Sequence, residues 1–175
     1  KEKYAAAADK TAQKICPVIG EIDDPANQRQ DVMTFPLSQE GNAIVYGSAG
    51  SGRTTFLTTL VFSLMKDYTA AQIQMYLLDF GAETLRAFAR APHVGDVMLA
   101  HEAEKITNLT KMLHREIDRR KKQFADYGGD YGTYIRSTEE QVPAILVVIH
   151  NYSAFAETYE NKEDAISYLT REGVK

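Results

Sequence analysis

The chain has 175 residues, 44% hydrophobic and 25% charged, with a net charge of −4 and a single cysteine, Cys16. That length and balance suffice to bury the core of one α/β domain; one cysteine excludes an internal disulfide framework and suits a reducing compartment. The acidic surplus speaks against the basic footprint of a nucleic-acid binder, and no run reaches the roughly 20 apolar residues of a membrane span.

In chain order, "KEKYAAAADKTAQKI" predicts an amphipathic helix with Tyr4, Ala8, Thr11 and Ile15 on one side. "VIGEIDDPANQRQDVMTFPL" predicts two short strands around an Asp-Pro turn, a β-hairpin leading into the domain. "NAIVYG" is an apolar run fit for a buried parallel strand. After a glycine-rich loop, "RTTFLTTLVFSLMKDY" places Phe56, Leu57, Leu60, Val61 and Leu64 at helical spacing. "AQIQMYLLDFG" reads as a second buried strand, and "AETLRAFARAP" as a helix ended near Pro92.

"HEAEKITNLTKMLHREIDRRKKQFADYGG" predicts a long helix with Ile106, Leu109, Leu113, Ile117 and Phe124 at helical spacing, ended by Gly128 and Gly129. "PAILVVIHNY" is a third apolar strand and "NKEDAISYLTRE" a last helix. Strands alternating with helices predict a parallel sheet covered on both faces. Its inner strands are expected to be "NAIVYG", "QMYLLDF" and "AILVVI", with the hairpin outside.

The loop carries the chemistry. Gly47, Ser48, Ala49, Gly50, Ser51, Gly52, Arg53, Thr54 and Thr55 follow the spacing G-x-x-x-x-G-K-[ST], except that Arg53 stands where that pattern has lysine. Glycines there let successive backbone N–H groups turn inward around phosphate oxygens, and Thr54 offers its hydroxyl to Mg²⁺. The lesser reading, a Gly/Ser turn between strand and helix, does not account for the full spacing in that context. Sites of this kind also use an acidic residue at the tip of a second apolar strand, to hold the Mg²⁺ shell. The tip of "AILVVI" carries His150 and then Asn151, neither of them an acid. Asp79, at the tip of "YLLD", is either a substitute for that acid or a carboxylate capping the helix after Gly81.

Five ordered stretches resemble the FtsK/SpoIIIE ATPase domains, and within them most closely the type VII secretion membrane ATPases of the EssC/EccC group. They are "IGEIDDPANQRQ", "GSAGSGRTTFL", "DFGAETLRAFARAPHVG", "LHREIDRRKKQF" and "VVIHNY", and the resemblance covers nearly the whole chain from about Val18. It implies a P-loop NTPase core of the RecA/FtsK-like type, preceded by a small β-hairpin. Residues 1–38 are then the N-terminal helix and hairpin, and residues 39–175 an incomplete P-loop core excerpted from a longer chain. Family members continue past a stretch like "REG" into another core strand, so the C-terminal part is expected to lie outside this sequence.

The resemblance further implies sister ATPase domains in one chain, a cytoplasmic position in a bacterial cell-membrane protein, and hexameric assembly of the full-length protein. The cargo it implies is small helical secreted proteins or, by analogy with the DNA pumps of the family, DNA. It also makes the departures informative. Arg53 replaces the P-loop lysine, His150 the metal-shell aspartate, and Asn151 the catalytic glutamate of the DNA-pumping relatives. Arginine's planar fork is no compact ammonium, imidazole suits softer metals than Mg²⁺, and an amide cannot take a proton from water. Weak ATP binding with little dependence on Mg²⁺, and little or no hydrolysis, is the expectation.

Other candidates have plainer readings. His93 reads as a structural loop residue, and His101 and His114 lie off any metal-ligand spacing. Met75, Met98 and Met112 read as core fillers rather than a peptide-binding stripe. The run Arg119 to Lys122 is interleaved with Glu116 and Asp118, a solvated helix face by default. Tyr127, Tyr131 and Tyr134 read as a turn packed on the sheet rather than a stacking platform. Three functions stay open: a degenerate nucleotide-binding domain serving assembly or regulation of a secretion motor, an active translocase ATPase, and an interaction module whose nucleotide site is lost.

Overall fold

A computed structural model describes residues 14–138, 140–159 and 163–173. The expected helix over residues 1–15 lies outside these, apart from Lys14 and Ile15. The hairpin forms as expected. Strand β1 (Val18–Asp24) runs antiparallel to β2 (Arg29–Thr34), with Asp24 opposite Arg29 at the turn. Pro25–Asn27 make one 3-10 turn, and Asp24 caps it by accepting from the Asn27 backbone (3.3 Å) and side-chain amide (2.7 Å).

A short helix α1 (Leu37–Glu40) leads to the glycine loop, and α2 (Arg53–Asp67) follows it. The parallel sheet is built from β3 (Ile73–Asp79), β4 (Val94–Leu99) and β5 (Ala144–His150), in the order β4-β3-β5. Between β4 and β5 lie the long α3 (Ala103–Phe124) and a shorter α4 (Tyr131–Thr138); α5 (Tyr152–Thr158) and α6 (Glu163–Glu172) follow β5.

Successive strand residues face opposite sides of a sheet, and both sides here are apolar. On one side Met75, Leu77, Val97 and Val148 pack with Leu60, Val61 and Leu64 of α2. On the other, Leu78 and Met98 pack with Ile106, Leu109 and Leu113 of α3 and with Phe155 of α5. The hairpin joins the first side through Ile19 and the edge-to-face pair Phe35–Phe56. The Tyr68 hydroxyl accepts from the Cys16 N–H (2.9 Å), tying the segment before β1 to the end of α2.

Four expectations are corrected. "NAIVYG" is not a strand, and Ile44 and Tyr46 are 85% and 89% exposed. "AILVVI" is an edge strand of the three-stranded sheet, not an inner one. An inner position needs a partner on both sides, and among the described residues no strand pairs with the free edge of β5. The helix expected at "AETLRAFARAP" shrinks to a 3-10 stretch, Thr84–Phe88, because Val94 must already pair beside Met75 and the crossover is tight. Strand β4 itself was not foreseen. The tyrosine cluster packs around Phe124 and Val142 through α4 rather than onto the sheet, and the Tyr131 hydroxyl donates to the Val142 carbonyl (2.7 Å).

Candidate functional site

The loop keeps the backbone its glycines suggest. Gly50 (φ 77°) and Gly52 (φ 87°) lie in the left-handed region that side chains disfavour. A Cβ on Gly47 would come within 2.5 Å of the Ser51 hydroxyl oxygen. The Ser51 N–H donates to the Ser48 carbonyl (3.2 Å), closing the loop on itself, and Gly52 starts α2. No side chain caps that helix and no acidic residue stands in its first turn. The first-turn N–H groups therefore face outward with the positive end of the helix dipole, an arrangement suited to anionic oxygens. Residues 47–53, Arg53 included, are exposed, while Thr54 is half-buried and turned towards the sheet.

It meets His150 there. Parallel register sets Asp79 directly opposite His150, so the tips of β3 and β5 bring the two side chains together. His150 Nδ1 lies 2.9 Å from Asp79 Oδ1, and its Nε2 lies 3.2 Å from Thr54 Oγ1. The side chain of Asp79 is 0% exposed and that of His150 13%. Asp79 also accepts from the backbone N–H groups of Gly81 and Leu85, both at 2.9 Å. Burial pushes its carboxyl up, but the donors at Leu85, Gly81 and His150 outweigh this and hold it below the usual carboxylate range. Asp79 thus caps the segment after the strand, as one sequence reading had it, and touches the loop only through His150.

Asn151 is pinned as well. It adopts φ 62°, a conformation asparagine tolerates better than most residues, and its amide donates to the Phe80 carbonyl (3.2 Å). Its side chain is thereby committed to the neighbouring strand tip. Among the described residues no cluster of three or more His, Cys, Asp or Glu side chains could hold a metal ion. A Mg²⁺ ion carried by nucleotide phosphates and waters, the usual way Mg²⁺ binds, could take the Thr54 hydroxyl as a protein ligand.

The remaining candidates keep structural roles. His93 is buried at the β4 entrance with Nε2 2.8 Å from the Tyr68 carbonyl. His114 stacks on Tyr168 at 4.3 Å. Met75 and Met98 are core residues. In the basic run, Arg119 and Arg120 both bond Glu116, Arg120 also reaches the Pro143 carbonyl (2.8 Å), and Lys121 pairs with Glu172 (2.8 Å). Those pairs leave no free basic stripe there. The Asp79–His150 pairing was beyond sequence reasoning, although both residues were flagged; two strand tips separated by 71 positions meet only through register.

The chain is 33% identical over 169 residues to the type VII secretion system protein EssC of Staphylococcus aureus (strain NCTC 8325 / PS 47); the match covers 93% of this chain and 11% of that protein. The structure of EssC (ATPases 2 and 3) from Geobacillus thermodenitrificans superposes with a TM-score of 0.83 at 28% identity, over 96% of this chain and 32% of that one. That of Thermomonospora curvata EccC (ATPases 2 and 3), solved with a signal sequence peptide, gives 0.81 at 32% identity, over 91% and 30%. This chain therefore spans about a tenth of the curated relative's length. The FtsK/SpoIIIE family model matches residues 5–167, which takes in the hairpin, the glycine loop and both strand tips: the chain belongs to the FtsK/SpoIIIE family.

Proposed function

We propose that the chain is a degenerate ATP-binding domain of a membrane-anchored FtsK/SpoIIIE-type translocase, serving regulation or assembly of a type VII protein secretion motor. The observation that carries this is the strand tip beside an intact loop. The loop and the open first turn of α2 retain what anion binding requires. His150, however, has both ring nitrogens engaged, by Asp79 and by Thr54, and Asn151 is an amide that cannot take a proton from water and is bonded to the Phe80 carbonyl. Nucleotide is held and little is hydrolysed. Binding energy of that kind orders neighbouring domains without turnover.

On this reading residues 39–175 are an incomplete P-loop core within a longer cytoplasmic region, working beside sister ATPase domains in a hexamer. A turnover assay on the domain within its intact parent polypeptide tests it. The rate should stay far below about 1 s⁻¹, the low end for typical enzymes. A rate at or above that level, abolished by Thr54→Ala, overturns the proposal. Arg53→Lys should raise ATP affinity more than rate.

A second reading is an interaction module for a secreted helical segment. It is favoured by the likeness to an EccC chain solved with a signal sequence peptide. An open groove of about 290 Å³, lined by Tyr76, Met98, Leu109 and Met112 and also by Asn108 and the ion pair Lys105–Asp96, gives that reading a surface of mixed character. Peptide binding that is unchanged by Gly52→Ala would favour it over the nucleotide reading.

A further inference from the structure

Thr54, His150 and Asp79 form a chain of contacts whose direction turns on which nitrogens of the imidazole carry a proton. Asp79 accepts backbone protons at both oxygens, from Gly81 at Oδ1 and from Leu85 at Oδ2, and its carboxyl is held ionised. An ionised carboxylate can only accept. The proton between Asp79 Oδ1 and His150 Nδ1 therefore sits on Nδ1. If the ring carries that one proton only, its Nε2 is bare, and a bare Nε2 is an acceptor. In that tautomer the Thr54 hydroxyl, 3.2 Å away, is the donor, and its oxygen keeps its lone pairs for another partner.

We propose that Asp79 and His150 together replace the missing strand-tip acid: His150 takes the Thr54 hydroxyl proton, Asp79 fixes the imidazole tautomer that allows it, and the Thr54 oxygen stays available to the Mg²⁺ of a bound nucleotide. Asp79 and His150 are positioning residues, since neither reaches the metal in this arrangement. The inference rests on the nucleotide-binding reading above and reverses one expectation from sequence, that ATP is held with little dependence on Mg²⁺. That expectation followed from the absence of an acid at residue 150; the acid is present, one side chain further back.

An independent feature of the structure supports the arrangement. The imidazole lies over Gly81, where a Cβ would sit 2.5 Å from His150 Cε1 and 2.7 Å from Nδ1. Residue 81 has to be glycine for the ring to occupy this place. The Phe80 N–H donates to the His150 carbonyl (3.1 Å), which holds the two strand tips in step while the side chains meet.

Two readouts on the 175-residue chain test the proposal. The first is the ¹⁵N spectrum of histidine-labelled protein without nucleotide. His150 should show the Nδ1–H tautomer with an accepting Nε2; Thr54→Val should shift the Nε2 signal, and Asp79→Asn should release the tautomer. The second is ATP affinity in MgCl₂ relative to EDTA. The native chain should bind about tenfold tighter with Mg²⁺, the scale of one hydrogen bond involving a charged group.

That ratio should fall to about one in Asp79→Asn and in His150→Leu, and survive in His150→Gln, whose amide can donate to Asp79 and accept from Thr54. If Asp79→Asn fails to fold, the His150→Leu and His150→Gln pair decides. A ratio that His150→Leu leaves unchanged overturns the proposal, as does an Nε2–H or doubly protonated His150 in the native chain. If neither this chain nor its parent polypeptide binds ATP in either buffer, the nucleotide-binding reading fails and the metal half of the inference with it. A tautomer indifferent to Asp79→Asn sinks the inference alone.

Discussion

Gly52 and Gly47 show how narrowly the loop depends on single residues. Gly52 holds φ 87°, and a Cβ on Gly47 would strike the Ser51 hydroxyl oxygen. Gly52→Ala should cost about 1 kcal/mol of stability, the usual strain of a left-handed non-glycine residue. Its effect on ATP affinity should be larger than on stability, because the first-turn N–H groups move with it. Thermal unfolding and calorimetric titration of the same variant check both halves. Spacing alone exposed the loop in the sequence, since six positions fix a backbone path whatever surrounds them. His150 and Asn151 were likewise visible as departures from the family pattern. What each side chain bonds was not, because Asp79 and the Phe80 carbonyl lie 71 positions away and are brought in by strand register.

Among the elements, α2 and α3 grip opposite faces of the sheet, and their sequence periodicity made them the most legible parts of the fold. Leu64 of α2 is fully buried against Met75 and Leu77. Leu64→Ala should lower stability by about 3 kcal/mol through lost transfer energy and the cavity left behind, read from denaturant midpoints at constant slope. On α3, the Arg119 hydrogen bond, supported by Arg120, lowers the Glu116 carboxyl from 4.5 to about 2.

A carboxyl titrating lower folded than unfolded adds stability that is complete above the unfolded value and lost as pH falls through the folded one. Acid unfolding should therefore show a Glu116-dependent loss between about pH 4.5 and about pH 2, and Glu116→Gln should remove that part of the profile. β4 escapes a sequence reading because "VGDVML" is only six residues long and is interrupted by Gly95 and Asp96, two residues disfavoured in strands. "NAIVYG" was read as a strand on composition alone, yet a strand also needs a neighbour whose backbone is free to pair. No described strand takes that place.

At the scale of the whole molecule, β5 has an edge that no strand pairs with among the described residues, and Ile44 and Tyr46 are exposed. Such edges invite pairing with another chain. The 175-residue chain should be a monomer in weak equilibrium with a dimer at micromolar concentration, and Tyr46→Lys should move that equilibrium toward monomer in sedimentation velocity. A stable hexamer formed by this chain alone would contradict that expectation.

The sequence by itself determined the α/β class, the hairpin, the phosphate-type loop and the family, because each rests on local spacing that survives any arrangement of the rest. Only the tertiary structure decided which strand is central, that residues 42–46 do not pair, and that Asp79 stands behind His150. Those outcomes depend on the register of parallel strands joined by long crossovers. Register is set by the packing of both sheet faces together, which no single stretch of sequence contains.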